Sequence, residues 1–108
     1  MRQLDVYLGE SLIGRIVENR KGGRFEYEQS IVGKLAGRPV LSMAFPAKVR
    51  PFGEAKTSAW FNGLLPEGNR RDEVCRSLGV LPYDWIGLLA EIGWECAGAV
   101  RVFEHAGG

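Results

Sequence analysis

The sequence predicts an α+β domain: a small antiparallel sheet, an N-terminal meander plus later strands, packed with a few short helices. Three observations predict it. Residues 3–8 and 24–28 alternate in side-chain character with period two, with a second short apolar run and glycine turns between them. From Thr57 the period lengthens to that of a helix. After Gly93 a short apolar run, Ala97 to Phe103, returns to strand character. Strands, then helices, then a strand are the signature of segregated α and β elements.

The elements follow in order. Gln3 to Leu8 sets Leu4, Val6 and Leu8 on one side and Asp5 and Tyr7 on the other, a half-buried strand. Gly9-Glu10 turns the chain into a second run, Leu12 to Val17. There Leu12, Gly14 and Ile16 alternate against Ile13, Arg15 and Val17, completing a hairpin. Lys21-Gly22-Gly23 is the next turn, and Arg24 to Glu28 alternates charged and aromatic residues, directing Phe25 and Tyr27 to the core. Gln29 to Gly37 fits a short helix carrying Ile31, Val32 and Leu35. Val40 to Phe45, between Pro39 and Pro46, reads as a strand. Lys48 to Lys56, with Pro51, Gly53 and the basic residues Lys48, Arg50 and Lys56, reads as an exposed loop.

Thr57 or Ser58 is placed to cap a short helix through about Leu65, stopped by Pro66. Glu67 to Leu78 is a charged helix with Val74, Cys75 and Leu78 on its inner side, and Gly79 stands at its left-handed C-terminal position. Asp84 caps a third helix in which Trp85, Leu88, Leu89 and Ile92 recur at i, i+3, i+4 and i+7, with Gly93 at its end. Trp94 is expected as a lid on that core. Residues 104–108 form a polar, flexible tail.

The chain has 108 residues, a single domain's length, with 14 Lys and Arg against 13 Asp and Glu. A net charge of +1 supplies no broad basic field, which disfavours a protein that tracks nucleic-acid phosphates. Two cysteines and one histidine make neither a disulfide framework nor a four-ligand zinc site, so no metal and no cofactor is expected. The N-terminus has no secretory apolar core and no apolar run reaches membrane-spanning length. A cytoplasmic protein is the expectation.

Catalytic constellations are lacking. His105 lies in the polar tail, away from any nucleophile. Cys75 neighbours Arg76 but falls on the apolar side of its helix, as an inert buried thiol, and Cys96 among Gly and Ala is a small core residue. Gly33-x-x-x-Gly37 and Gly87 to Gly93 lack the Lys-Ser/Thr pair and the strand–loop–helix setting of a phosphate loop, and every kinase motif is absent. The carboxylates Glu67, Asp72, Glu73, Asp84, Glu91 and Glu95 read as solvated charge. No residue is assigned a catalytic role, and the chain is expected not to be an enzyme.

Aromatic placement carries more information. Phe61, Leu64 and Leu65 form one stripe of the short helix, and Trp60 lies at its margin. There it either closes the edge of the core or stands out as a binding anchor, a role in which Trp is enriched.

Several segments together resemble HipA-type kinases. LDVYLGESLIGRI resembles that family's first hairpin, FEYE and LSMAFP its F-x-Y and L-S-x-S-L-P segments, and AWFNGLLPEGNRR its F-F-x-N-L-L-P-(D/E)-(G/S) motif. DWIGLLAEIGWECAGAVRV is similar to its D-x-(F/L)-x-L-L-x-x-I-G-x-(D/E)-x-x-G-A-V ending. The segments keep the family's order over about residues 4 to 103, and LLPEG and the GAV block are the specific ones. The likeness covers only the family's N-terminal subdomain, read here as one domain over residues 1–108, and the chain stops where the family's Ser/Thr kinase core would begin.

The resemblance implies a free-standing, HipS-like antitoxin of a HipBST-type system. Such a protein binds and neutralises a HipT-like Ser/Thr kinase, in a larger complex with a HipB-like helix-turn-helix DNA-binding protein. It touches neither nucleic acid directly nor a membrane. Two departures from the pattern point to the contact face: Trp60 stands where Phe is usual, with Phe61-Asn62-Gly63 after it, and Asn69-Arg70-Arg71 is unusually basic. Trp60, Phe61 and Leu64 are the candidate anchors, with Asn62, Glu67 and Arg70 as their polar rim. On the other reading Phe61, Leu64 and Leu65 simply close the core, with Pro66 ending the helix; that reading is preferred for Phe61 and Leu65, and the anchor reading for Trp60. The alternative function is a structural or dimerisation subdomain, cut from or accessory to a HipA-like kinase, with no antitoxin activity of its own.

Overall fold

The computed structural model describes residues 1–96 and 98–105. Three strands open the chain: β1 (Gln3–Leu8), β2 (Ser11–Asn19) and β3 (Gly22–Tyr27). Four helices follow, α1 (Gln29–Leu35), α2 (Glu54–Asn62), α3 (Gly68–Leu78) and α4 (Trp85–Ile92), then a single 3₁₀ turn (Gly93–Glu95) and β4 (Val100–Glu104). The strands form one antiparallel sheet in the order β3-β2-β1-β4. This is the α+β architecture expected. Among the described residues no helix is long and apolar enough to cross a membrane.

One face of the sheet packs on α2 and α4. Leu4, Val6, Ile16, Phe25 and Val102 line it from the strands; Phe61, Leu88 and Leu89 meet them from the helices, all sealed from solvent. The opposite face carries a polar pair and an aromatic pair: Arg15 Nε donates to Asp5 at 3.1 Å, and Tyr7 meets Phe103 edge-on at 5.6 Å. Simple alternation puts Ile13 opposite Ile16. The register of β1 on β2 shifts between Val6 and Tyr7, and this bulge turns both isoleucines into the core. Gly14 beside it admits the Phe25 ring: a Cβ there would sit 2.7 Å from that ring and 2.4 Å from the Glu26 carbonyl oxygen.

The segment between α1 and α2 departs most from expectation. Val40 to Phe45 is not a strand. It is a loop closed by an isolated bridge between Pro39 and Pro46, with Gly37 N–H donating to the Ala47 carbonyl and Ala47 N–H to the Arg38 carbonyl, both 2.8 Å. The Tyr27 hydroxyl holds it from inside: it donates to the Phe45 carbonyl and accepts from Leu41 N–H at 3.0 Å. Burial drives the Tyr27 phenol above its ordinary pKa. Residues 48–56 are not a loop throughout either, because Phe52 is buried and α2 already starts at Glu54.

Thr57 is therefore not a cap. It lies inside α2, buried, and its hydroxyl accepts the Phe25 N–H at 3.1 Å. Phe52 N–H donates to the Phe25 carbonyl at 2.8 Å, so both outward backbone groups of Phe25, on the edge strand, are satisfied.

The later elements follow the sequence reading more closely. Gly79 ends α3 with φ +73°, a left-handed position that favours glycine, and Asp84 caps α4 by accepting from Gly87 N–H at 3.1 Å. Cys75 is buried, but Leu78 is exposed and not an inner residue. Trp94 is 54% exposed and is no lid, because the 3₁₀ turn directs it away from the core. Glu104 belongs to β4, and His105 is anchored, its N–H donating to the Gln3 carbonyl at 2.9 Å and Nδ1 lying 2.9 Å from Asp5. Ala97 and residues 106–108, where the last apolar run was expected to begin and the tail to lie, fall outside the described residues.

Arg2 clamps the chain's start to the α4 cap. Its guanidinium donates to Glu18 at 2.7 Å and to Asp84 at 2.9 Å. The Arg2 hydrogen bonds hold both carboxyls below their ordinary range.

Two predictions follow from these contacts. Tyr27→Phe leaves a buried carbonyl and a buried N–H without partners and lowers stability by about 1–3 kcal/mol; urea unfolding measures it, and hydrogen exchange locates the loss in residues 38–47. A carboxyl whose folded pKa is depressed contributes stability above its unfolded pKa and loses it as pH falls. Arg2→Ala therefore lowers the melting temperature at neutral pH by roughly 5 °C, the effect of about 1 kcal/mol in a domain this size. The gap between parent and variant narrows once the pH drops below the ordinary carboxylate range.

Candidate functional site

The helix α2 carries the first of the sequence-designated residues. Phe61 faces inward, is fully buried, and lies 5.8 Å from Phe25 and 6.5 Å from Trp85 in ring-centroid distance. It belongs to the core and has no surface for a partner, which removes it from the set of anchors. Trp60, one residue earlier, points to the rim. Its indole meets Phe45 at 5.7 Å and Phe61 at 4.9 Å, both edge-on, and the residue as a whole stays partly exposed. It is thus a half-buried ring with a fixed orientation, wedged by two buried phenyls.

Asn62 closes α2. Its side-chain amide donates to the Ser58 carbonyl at 2.9 Å, an intrahelical bond that holds it along the helix. The chain then turns at Gly63, and Leu64, Leu65 and Pro66 lead into α3. Glu67 takes the N-cap position of α3, but its side chain makes no cap hydrogen bond. Arg71 is engaged, its Nε donating to the Pro82 carbonyl at 2.9 Å, whereas Arg70 is exposed.

Leu64, Glu67 and Arg70 come together in an open cleft of about 460 Å³. Leu65 and Pro66 join Leu64 in its apolar lining, and Ile92, Glu95 and Cys96 close it from the far end of α4 and the 3₁₀ turn. Among the described residues neither Glu67, Arg70 nor Glu95 has an ionic partner within 4.0 Å. Burial pushes the Cys96 thiol up, which keeps it neutral at pH 7 and a poor nucleophile. The arrangement suits binding: an apolar floor, unpaired charges of both signs at the rim, and a rigid aromatic ring on the neighbouring helix.

The six designated residues therefore divide. Leu64, Glu67 and Arg70 share a cleft, Trp60 stands on the α2 rim, Asn62 is tied to its own helix, and Phe61 is core. The cleft's far wall, Ile92, Glu95 and Cys96, was not among the designated residues; it lies more than twenty positions along the chain, and only the fold brings it near. The exposed Trp94, adjacent to Glu95, was missed because a Trp following an amphipathic helix is ordinarily an extension of its buried stripe.

The fold is that of a small α+β domain with an open cleft beside α2. The chain belongs to the family described as the HipA N-terminal domain, which matches residues 4–103. It is 30% identical over 103 residues to the protein named "Putative kinase Y4mE" of Sinorhizobium fredii, covering 94% of this chain and 24% of that one. Its fold is similar to that of HipA in the Shewanella oneidensis toxin–antitoxin complex of HipA, HipB and operator DNA. There the TM-score is 0.78 and the identity 25%, over 96% of this chain and 24% of that structure's. The chain thus spans about a quarter of the length of the relatives it matches.

Core and rim are separable by mutation. Phe61→Ala lowers stability by about 3–5 kcal/mol, as for other buried aromatics. Trp60→Ala, losing a ring only partly withdrawn from water, lowers it by about 1–2 kcal/mol. Urea unfolding of the two variants checks this; equal losses would place Trp60 in the core rather than on its rim.

Proposed function

We propose that this domain is a non-catalytic antitoxin that binds and neutralises a HipT-like Ser/Thr kinase. It acts by occlusion: a rigid domain inserts the Trp60 rim into the kinase's cleft, blocking nucleotide or substrate entry or holding the lobes in an unproductive arrangement. The observation that carries this reading is the state of Trp60. Two buried rings pack edge-on against the indole, yet the residue stays partly exposed. A large aromatic side chain already ordered before docking loses little conformational entropy on binding, which is what an anchor needs.

Leu64, Glu67 and Arg70 extend the contact along the adjoining cleft, where a partner would meet apolar floor and unpaired charge. The family match supports the toxin–antitoxin setting, since the Shewanella relative is solved with HipB and operator DNA. A HipB-like DNA-binding protein is the third member of the assembly on this reading, and DNA contact runs through it.

Co-expression with the HipT-like kinase of the same genome tests the proposal. The parent domain relieves the kinase's growth arrest, and Trp60→Ala, still folded by circular dichroism, relieves it at least ten-fold less well in colony counts, the loss expected of a hot spot worth about 2 kcal/mol. Growth arrest that persists with the parent domain overturns the antitoxin reading and leaves a structural or dimerisation role.

A further inference from the structure

The segment from Gln29 to Gly53 contains Lys34, Arg38, Lys48 and Arg50 and not one carboxylate, and Lys56 follows on α2. The chain as a whole is nearly neutral, so its positive charge is concentrated here. All five side chains are exposed, and among the described residues none lies within 4.0 Å of a carboxylate. The nearest acidic residue in sequence, Glu54, is turned the other way, accepting from Asn19 at 2.9 Å with Arg24 at 3.9 Å.

Two of these cations are held in place. The Lys48 ammonium lies 4.3 Å from the Phe52 ring centre, and the Lys56 ammonium lies 5.1 Å from Phe52 and 5.2 Å from Phe45. Such contacts restrain flexible side chains without neutralising them. Phe45 is the same ring that wedges Trp60, and Lys56 and Trp60 stand one turn apart on α2, on one side of the helix. The indole and the two ammoniums therefore form one surface.

We infer that this surface docks into a carboxylate-lined protein cleft, with Lys48 and Lys56 pairing to acidic side chains that flank the pocket receiving Trp60. The inference rests on the antitoxin reading and specifies the chemistry of the partner's site. A kinase's catalytic cleft fits it, since its metal-binding and proton-accepting aspartates stand beside an apolar nucleotide pocket. Ammonium groups placed there take over charge that magnesium otherwise balances. A second copy of this chain is the wrong occupant, because like charges would face each other. Nucleic acid fits less well than protein: Phe45 and Phe52 are buried, which leaves Trp60, itself packed edge-on against Phe45 and Phe61, as the ring beside the lysines that a base could reach.

The test is binding of the full chain to the purified HipT-like kinase by biolayer interferometry, from low salt to roughly 0.3 M. The parent binds, and association slows as salt rises. The Lys48→Gln/Lys56→Gln variant associates about ten-fold more slowly at low salt, with a flatter salt dependence. Lys48→Arg/Lys56→Arg keeps both properties, and Arg101→Gln, on β4 at the opposite edge of the sheet from β3, matches the parent. Parent binding that the double Gln variant reproduces in rate and salt dependence overturns the inference and leaves the antitoxin reading standing. Displacement of the kinase by a single-stranded oligonucleotide assigns the surface to phosphate and overturns it as well. If the parent does not bind the kinase, the antitoxin reading and this inference fall together.

Discussion

The exposed edge of β3 is the constraint on which the rest of this structure depends. An edge strand with unpaired backbone groups invites association with other strands, and proteins cover such edges. Here Phe25 is covered on both sides of its peptide unit, its N–H by the Thr57 hydroxyl and its carbonyl by Phe52 N–H. The Phe25 ring, admitted by Gly14, becomes the hub of an aromatic core in which Tyr27, Phe45, Phe52 and Phe61 all pack within 6.2 Å of its centre. One residue thus joins the sheet to the segment that follows it.

That coupling places the candidate site. The loop from Arg38 to Ala47 has no ladder of its own and takes its shape from the Tyr27 hydroxyl and the Pro39–Pro46 bridge. Its Phe45 then supports Trp60 from below, and Phe52 supports the lysines. The orientation of the α2 rim is therefore a property of the core, and a weakened Phe25 edge would misplace the surface without touching any residue on it.

Much of this was legible in the sequence, for identifiable reasons. The meander shows because one sheet face is bare, so β1 and β3 alternate between inward apolar and outward polar residues, and only the bulge in β2 breaks the pattern; α4 shows because it buries a single stripe. The Val40–Phe45 segment did not, since an apolar run between two prolines looks like a strand until the partner of its backbone groups, a tyrosine hydroxyl, is known. Thr57 looked like a cap because hydroxyls usually serve there, whereas its acceptor role toward β3 is a tertiary fact. At the site, the inward Phe61 and the marginal Trp60 followed from helical spacing. The cleft uniting Leu64, Glu67 and Arg70 with Ile92 and Glu95 did not, because no local pattern links residues so far apart. Nor did the hold of Phe52 on Lys48 and Lys56, which were visible only as loop charges.

The pairing of β1 with β4 has a consequence for how the protein is made. Leu4 pairs with Glu104, so the first strand of the sheet waits for the last. While the chain leaves the ribosome, β2 can pair with β1 and β3 with β2 as a local meander, but the other edge of β1 stays open until Val100–Glu104 has emerged. Val102, wholly buried in the finished domain, is the final piece of the core to arrive. Closing so long a loop is slow relative to hairpin formation. Nascent chains therefore pass through an interval in which a hydrophobic strand edge is bare, and the fold locks only once Val100–Glu104 has paired with β1.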